Sequence, residues 1–278
     1  MSARGHSRIC PAGGSVSYPT LVLWCYVPQR TPHQKKRARR GLLAAEVGIT
    51  GVTTNRILGA VRTEEIAGLA NKLERIALRS NDILFEPSDA ARYVYFPEGA
   101  VISLQATMED GRSTEVSLTG TEGFLGVSGF LGAETCMYTG LVEIEGPCLR
   151  MEMETFKAEC RNGGVLQART LSYLRYLITQ ISQTVACNRL HRVSQRLARR
   201  LLMIQDRVRK NQFPVTHESL SYALGTPRSE VSFAAEGLRR LGIIDYSRGT
   251  VAVINRESLE SFSCECYSFI HREFESLG

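Results

Sequence analysis

Four residues near the start of one predicted helix carry side chains that could meet the edges of DNA bases. They are Arg228, Ser229, Ser232 and Phe233, and they fall near the outward side of the opening turns of a helix predicted over Pro227–Leu241. A shorter helix precedes it across a tight turn. The pair is typical of a helix-turn-helix, whose second helix is presented to the DNA major groove.

Local signals position these four residues. Thr216 can cap a first helix over His217–Leu224, and Gly225 suits the left-handed residue that ends it. Thr226 is the predicted N-cap of the second helix, with Pro227 at its first helical position. The apolar residues that should bury one face of this second helix recur at helical spacing: Val231, Ala234, Ala235, Leu238 and Leu241.

A β-hairpin is predicted after the second helix. Its strands are Ile243–Tyr246 and Thr250–Ile254, joined by a turn that contains Arg248. Arg248 could contact a phosphate or could be an ordinary exposed turn residue. The predicted phosphate-contacting residues are Thr216, His217, Thr226 and Arg248.

Charge is distributed unevenly along the chain, whose formal net charge is +6. Residues 1–54 hold eight Lys or Arg against one Glu, so the remainder is close to neutral. Within that remainder, residues 55–185 carry −5 and residues 186–213 carry +7. The basic band directly before the helix-turn-helix is either a solvated helix face or a phosphate-contacting surface, and its position favours phosphate contact.

The N-terminal segment, residues 1–54, lacks sustained periodicity and is predicted to be a disordered basic extension. Its longest apolar run, Leu21–Val27, has seven residues, whereas a bilayer span needs about 20. Eight cysteines without a secretory signal favour reduced thiols in the cytosol. We therefore expect a cytoplasmic protein without membrane contact.

Short strand-like segments follow an amphipathic helix that is predicted from Thr63. They are separated by turn residues and predict a small barrel or roll. The six segments are Ile83–Phe85, Tyr93–Phe96, Val101–Leu104, Glu115–Leu118, Leu141–Ile144 and Cys148–Met151. Between Gly120 and Gly132 a glycine occurs at every third position, which fits either a phosphate-binding loop or a tight structural turn. The absence of Lys and Arg between Arg112 and Arg150 favours the turn.

The longest helical pattern lies between residues 165 and 210. Five apolar residues in it step by three and four and form a heptad seam, along which two copies could pair: Leu171, Leu174, Ile178, Ile181 and Val185. Packing of this helix only on its own roll is the alternative. A second helical segment is predicted over Ser194–Val208, and a closing helix over Glu257–Leu277.

The order of these parts resembles that of bacterial regulators of the cyclic-AMP receptor protein and fumarate-nitrate reduction regulator (Crp/Fnr) superfamily. Four segments carry the resemblance: YVYFPEGAVISL, CNRLHRVSQRLARRLLMIQDRV, FPVTHESLSYALGTPRSEVS and SRGTVAVINRESLE. The resemblance implies an α+β fold. Its domains would be the extension (1–54), a cyclic-nucleotide-binding-like β-roll (55–164), a dimerisation helix (165–190) and a winged helix-turn-helix (191–278). It also implies a homodimer that binds double-stranded DNA at a palindromic operator, with RNA polymerase as a further partner.

The resemblance also implies where an effector would bind. Relatives that bind cyclic nucleotide use a Gly-Glu pair and an Arg-Ser pair, and the matching positions here are Gly126 with Val127, and Tyr138 with Thr139. Valine cannot accept a ribose hydrogen bond, and tyrosine cannot neutralise a phosphate. We therefore expect the effector to be a different, unidentified small molecule.

In the recognition helix, Arg228 matches the family's base-reading arginine, whose planar fork can bond O6 and N7 of guanine. Ser229 and Phe233 stand where the family has Glu and Arg. The half-site should therefore differ from that of the cyclic-AMP receptor protein, and Phe233 could meet a thymine methyl or simply pack.

No cofactor, metal or catalytic residue is predicted. The pair Cys264 and Cys266 has no two further ligands nearby in sequence, and Gly126-Val-Ser128-Gly129 misses a nucleophile-elbow motif by one residue. The alternative function is a ligand-binding or redox-sensing roll whose helix-turn-helix contacts protein rather than DNA.

Overall fold

The computed structural model describes residues 53–62 and 68–277 of the 278-residue chain. The predicted extension lies outside this range except for its last two residues, and the start of the helix expected from Thr63 also lies outside it. Thr53 is buried, and Thr54 Oγ1 donates a hydrogen bond to the Glu98 carbonyl at 2.6 Å. The folded part therefore includes these two residues, which were predicted to belong to the extension.

Seven strands form the roll as two antiparallel sheets, with strand orders β1-β7-β3 and β2-β6-β4-β5. The strands are β1 (Glu74–Leu78), β2 (Ile83–Phe85), β3 (Tyr93–Pro97), β4 (Val101–Thr107), β5 (Ser113–Thr119), β6 (Thr139–Ile144) and β7 (Gly146–Glu152). Inward side chains such as Ile76, Ile102 and Val142 form an apolar cluster within the roll. The six predicted strands are confirmed.

Strand β1 was not predicted. Its sequence, ERIAL, consists largely of good helix formers, so local propensity indicates helix. Pairing overrides that propensity, because Glu74 lies opposite Arg150 of β7 in register and forms an ion pair with it at 2.7 Å.

Short helices that flank the roll and have both ends in the described part of the chain are α1 (Arg56–Gly59), α2 (Val127–Phe130) and α3 (Met153–Arg161); residues 68–70 are also helical. Helix α2 lies within the glycine-rich run, which is thus a compact part of the roll. A Cβ atom at Gly123 would overlap the ring of Tyr173, and one at Gly120 would lie 2.9 Å from Arg207 Cγ. These two glycines let side chains of the following helices approach the roll backbone.

The long helix α4 (Gly164–Leu190) has 27 residues, or roughly 40 Å at 1.5 Å per residue. Tyr173 and Tyr176 on its inner face are almost fully buried. Helix α4 ends at Leu190, His191 is extended, and α5 (Val193–Val208) begins two residues later.

The C-terminal part is a winged helix-turn-helix. Its elements are β8 (Gln212–Pro214), α6 (His217–Leu224), α7 (Arg228–Arg240), β9 (Ile244–Ser247), β10 (Thr250–Val253), α8 (Arg256–Phe262) and α9 (Cys266–Glu275). The strand order β8-β10-β9 includes β8, which was not predicted. The single closing helix that was predicted is wrong, because Ser263 is extended and divides it into α8 and α9. Within the described ranges, no helix is both long and apolar enough to cross a membrane.

The prediction that the basic band contacts DNA phosphates is wrong for its four central arginines. Arg196, Arg199, Arg200 and Arg207 lie on α5 and are buried, with relative exposures of 3–8%. Helix α5 is enclosed by the roll, α4 and the winged domain, so these arginines meet carboxylates, carbonyls and, for Arg199, the Thr184 hydroxyl of the same chain. The sequence showed the charge of this band but not its partners.

Arg207 makes the most buried of these contacts. Its Nη2 lies 2.7 Å from Glu122 Oε1, and the two side chains are 1% and 0% exposed. The same nitrogen donates to the Leu118 carbonyl at 3.0 Å and to the Tyr176 hydroxyl at 2.9 Å. The roll, α4 and α5 therefore meet at one guanidinium.

We predict that Arg207→Met lowers the free energy of unfolding by about 3–5 kcal/mol, because it leaves the Glu122 carboxylate buried without its partner. Urea unfolding followed by far-UV circular dichroism would measure the loss. The double variant Arg207→Met/Glu122→Gln should recover part of it. Arg209→Met changes an exposed arginine of the same segment and should stay within about 0.5 kcal/mol. Equal stability of Arg207→Met and Arg209→Met would contradict the role given to this ion pair.

Candidate nucleic-acid interface and roll cavity

The first helix of the helix-turn-helix is as predicted. Helix α6 runs over His217–Leu224, Thr216 Oγ1 accepts a hydrogen bond from the Ser219 backbone N at 3.0 Å, and Gly225 is left-handed with φ of 57°. These local contacts fix the angle at which the chain turns into α7.

The second helix begins one residue later than predicted. Pro227 is its N-cap, because a ψ of 142° keeps this residue extended although the ring fixes a helical φ of −56°. The Thr226 hydroxyl, which was predicted to cap α7, instead donates to Glu230 Oε2 at 2.7 Å. Leu241 was predicted to be buried but is 64% exposed, because it lies at the C-cap after the last helical turn. Val231, Ala234, Ala235 and Leu238 are buried as predicted.

The outward side of α7 presents three of the four predicted base-reading residues. Arg228 and Ser229 are exposed in the first turn, and Phe233 is 85% exposed one turn further on. The exposed Phe233 ring thus has little packing against its own chain and is available for contact with another molecule. Ser232 is half-buried, and its Oγ lies 2.9 Å from His217 Nδ1.

The predicted phosphate-contacting residues differ in their surroundings. Thr216 and Arg248 are exposed, and Arg248 lies in the wing turn with φ of 49°. His217 is stacked on Tyr246 with ring centroids 4.1 Å apart, and its backbone N donates to the Tyr246 hydroxyl at 3.1 Å. Burial, and next the charge of Arg228, hold the pKa of His217 below its usual value. His217 is therefore a neutral link between α6, α7 and the wing.

A cavity of about 640 Å³ lies in the roll against α4. Of the four predicted effector residues, Gly126, Val127 and Tyr138 line it, whereas Thr139 is buried in β6 and does not. The other lining residues are mostly apolar or aromatic; those from the roll include Leu84, Phe85, Tyr93, Tyr95, Leu104, Phe124 and Leu125. The cavity therefore has the volume and the lining typical of a small-molecule site.

The cationic side chain in the wall of this cavity already has a partner. Arg150 donates to both carboxylate oxygens of Glu74, at 2.7 and 3.0 Å, and its guanidinium lies 4.7 Å from the centroid of the Tyr93 ring. Arg92 also borders the cavity, but it is exposed. Burial raises the pKa of Tyr95 to about 12, so its phenol stays neutral. The cavity is thus lined largely by apolar and aromatic side chains, and its half-buried guanidinium is already paired with a carboxylate.

Helix α4 closes one side of the cavity and carries the predicted dimer seam. Leu171, Ile178 and Val185 are 55%, 66% and 67% exposed and are spaced by seven residues along one face. Leu174 and Ile181, the other two seam residues, are half-buried against the core of their own chain. Ile181 also lines the cavity.

A three-residue ionic contact joins the roll to α5. Arg200 Nη2 lies 2.7 Å from Glu115 Oε2 and 2.6 Å from Glu143 Oε2, and all three side chains are at most 10% exposed. One guanidinium cannot fully compensate two buried carboxylates. Burial, together with repulsion from Glu143, raises the pKa of Glu115 to about 8, against the attraction of Arg200.

The structure also gathers four residues that were not expected to meet. Cys187 and His191 at the end of α4 lie beside Cys264 and Cys266, and their ligand atoms are all within 4.8 Å of one another. Cys264 and Cys266 have no two further ligands nearby in sequence, but the fold places Cys187 and His191, from a distant part of the chain, beside them. The sequence signal that could have indicated this group is the spacing of Cys187 and His191, which lie four residues apart across the C-terminal end of α4.

Known proteins share both the C-terminal domain and the fold. Residues 195–262 match the Crp-like helix-turn-helix domain, whereas no curated protein matches the chain. Among solved structures, a CRP-family transcriptional regulator from Thermus thermophilus is 20% identical with a TM-score of 0.58, covering 67% of this chain and 95% of that one. FixK2 from Bradyrhizobium japonicum is 13% identical with a TM-score of 0.60, covering 69% and 98%. The c-di-GMP responsive global regulator CLP from Xanthomonas campestris is 15% identical with a TM-score of 0.56, covering 69% and 99%.

The fold is thus an α+β β-roll, long helix and winged helix-turn-helix, as predicted. Residues 195–262 belong to the Crp-like helix-turn-helix domain, and the chain shares its overall fold with these solved regulators.

The raised pKa of Glu115 predicts how stability depends on pH. Between about pH 4.5 and 8 the folded state holds a proton that the unfolded state has released, so the contribution of this group to stability falls as pH rises through that window. Glu115→Gln mimics the protonated form. We expect its stability to match that of the parent near pH 5 and to exceed it by more than about 1 kcal/mol at pH 8.5.

Urea unfolding at a series of pH values would measure this difference. Glu109→Gln, which changes an exposed carboxylate of the roll, is the control and should follow the parent at every pH. If the Glu115→Gln and parent curves run parallel from pH 5 to 8.5, Glu115 is ionised in the folded state and the assignment fails.

Proposed function

We propose that the protein is a homodimeric, sequence-specific DNA-binding transcription regulator that inserts α7 into the major groove. The observation that carries this proposal is the exposed opening of α7, where Arg228, Ser229 and Phe233 face solvent on a Crp-like helix-turn-helix domain. Such a regulator meets its DNA in the bacterial cytoplasm.

Each exposed residue has a contact that suits its chemistry. The Arg228 guanidinium can donate two hydrogen bonds to O6 and N7 of guanine, and the Phe233 ring can pack on a thymine methyl group. Thr216 lies beside Gly249 of the wing turn, close to Arg248, and these two exposed residues supply phosphate contacts that fix the orientation of α7. Ser232 and His217 are hydrogen-bonded to each other, and their role is to fix the position of α7 relative to α6.

The exposed stripe on α4 supports a two-fold dimer. Leu171, Ile178 and Val185 recur every seven residues, which is the spacing at which two parallel helices pack. A symmetric pair presents two α7 helices to half-sites about 34–36 Å apart, and the operator is then approximately palindromic. RNA polymerase is the further partner that such a regulator would contact when it activates transcription.

The roll cavity supports an apolar effector. Its lining is mostly aromatic and aliphatic; of the two arginines that line it, Arg150 is paired with Glu74 and Arg92 is exposed. A cyclic phosphate would enter without a free buried counter-charge, whereas a planar apolar molecule would pack against Tyr93, Tyr95 and Phe124. The c-di-GMP responsive regulator from Xanthomonas campestris is a precedent, in a protein of this fold, for a response to a ligand other than cyclic AMP.

We predict that Arg228→Ala weakens specific DNA binding by about 1–3 kcal/mol, or roughly 5- to 150-fold in Kd, because one bidentate base contact is lost. Operator fragments selected from random DNA with the purified protein would provide the probe for fluorescence anisotropy at fixed salt. Binding to unrelated DNA should change much less. Arg239→Ala, an exposed arginine at the other end of α7 that is paired with Glu236, is the matched control.

Two results would count against this function. Equal operator affinity of Arg228→Ala and Arg239→Ala would remove Arg228 from base reading. The parent protein could also select no DNA sequence and show binding that does not depend on salt. That result would favour the alternative in which the helix-turn-helix contacts protein.

For the dimer, we predict that Ile178→Glu converts the protein to a monomer, because two carboxylates would face each other across the apolar stripe. Sedimentation equilibrium would measure the mass. The control is Ala168→Glu, which places the same charge at an exposed position ten residues earlier on α4. This position is rotated about a quarter turn around the helix axis from Ile178, and the variant should remain a dimer. A dimeric Ile178→Glu variant would show that the copies associate through another surface.

A further inference from the structure

Cys187, His191, Cys264 and Cys266 form a group that the DNA-binding function does not use. Cys187 and His191 are one helical turn apart at the end of α4, and Cys264 and Cys266 lie where α8 gives way to α9. The three cysteines are at most 3% exposed, whereas His191 is half-buried. Residues more than 70 positions apart in the chain thus converge on one point.

Two distances within the group are close to those between ligands of a single ion, and all four ligand atoms lie within 4.8 Å of one another. Cys187 Sγ lies 3.4 Å from Cys264 Sγ, and Cys266 Sγ lies 3.5 Å from His191 Nδ1. In a tetrahedral site with Zn–S of about 2.3 Å and Zn–N of about 2.0–2.1 Å, the S–S and S–N edges are about 3.8 and 3.6 Å. An iron–sulfur cluster would require wider spacing, because its thiolates bind to different iron atoms.

The surrounding polar groups orient the four residues. His191 Nε2 lies 3.3 Å from Glu265 Oε2, so the ring nitrogen that faces away from the cysteines has a carboxylate partner. This leaves Nδ1 free to act as a ligand, which is the arrangement that metal-bound histidines ordinarily have. Gln183 Nε2 lies 3.1 Å from Cys266 Sγ and can donate a hydrogen bond to a thiolate there.

Neither simple core packing nor a disulfide accounts for all of this geometry. Buried thiols are often core residues, but core packing gives no reason for a histidine nitrogen and an amide to face the same sulfur. A disulfide between Cys187 and Cys264 would require an S–S distance of about 2.05 Å, and it would leave Cys266 and His191 without a role.

We propose that Cys187, His191, Cys264 and Cys266 bind one zinc ion with tetrahedral Cys3His coordination. Thiolate and imidazole ligands in this number suit Zn²⁺, and a full set of four protein ligands marks a structural rather than a catalytic site. Binding converts three thiols to thiolates and releases their protons to solvent.

The position of the site gives it a structural consequence. His191 stands two residues before α5, while Cys264 and Cys266 belong to the last segment of the winged domain. The ion therefore ties the end of the long helix to the far end of the winged domain. It restrains the junction through which the two parts of the molecule are connected.

The test begins with the full chain purified without chelators. We expect about one zinc per chain by elemental analysis, and Co²⁺ replacement should give thiolate charge-transfer absorption together with the intense visible bands of tetrahedral cobalt. Cys264→Ser and Cys187→Ser should lose these signals. Glu265→Gln alters an exposed side chain and should preserve the fold, but it should weaken metal affinity roughly 10- to 100-fold by releasing the histidine.

Matched controls separate this site from the other thiols. Cys136→Ser changes a buried cysteine of the roll, and Cys10→Ser/Cys25→Ser removes the two cysteines near the N-terminus; both should keep the full cobalt spectrum. Far-UV circular dichroism would confirm that each variant is folded.

Three outcomes would overturn the zinc site. The first is a reduced, folded parent protein that contains no zinc and gives no tetrahedral cobalt bands. The second is unchanged metal affinity in both folded Cys264→Ser and Glu265→Gln. The third is a Cys187–Cys264 disulfide, identified by mass spectrometry, in protein that does not bind metal after reduction.

Discussion

A charged group cannot be enclosed in a protein interior without a partner, and in this molecule the requirement applies most strictly to Arg207. Its guanidinium and the Glu122 carboxylate are both almost fully buried, 2.7 Å apart, on elements that belong to different parts of the chain. Neither can remain in place without the other, because an isolated buried charge costs several kcal/mol. The roll and α5 can therefore each adopt the observed structure only when they are docked on one another. Gly120 has no side chain for the same reason, since a Cβ atom there would collide with Arg207.

The same contact connects the cavity with the DNA-binding domain. Tyr173 lines the cavity and shares a hydrogen bond of 3.0 Å with Thr119, while Tyr176, one turn further along α4, accepts a hydrogen bond from Arg207. A molecule in the cavity would thus contact the turn of α4 that holds Tyr173. The next turn, which holds Tyr176, is the one that contacts α5 through Arg207. The path from cavity to winged domain consists of packed side chains on one rigid helix.

The parts that could be predicted from sequence are those with local signals. The cap at Thr216, the left-handed Gly225 and the apolar spacing of α7 lie within a few residues of one another, so the helix-turn-helix followed from them. Strand β1 could not be predicted, because a segment of helix formers becomes a strand only when β7 lies beside it.

The basic band and the cysteine group were missed for a related reason. An arginine has the same sequence signal whether it faces a phosphate or a buried glutamate, and only the fold decides between them. Likewise Cys264 and Cys266 appeared to lack ligands, because Cys187 and His191 lie more than 70 residues earlier.

These contacts also limit how a ligand could regulate DNA binding. Helix α5 is held by Arg200 in its middle and by Arg207 near its end, and each guanidinium is paired with a buried carboxylate of the roll. Separation of the winged domain from the roll would therefore require both buried contacts to open together. The exposed stripe of Leu171, Ile178 and Val185 has no such constraint in its own chain. A change in how two α4 helices pack along this stripe would therefore leave the buried contacts between roll and α5 intact, whereas a movement of the winged domain away from the roll would not.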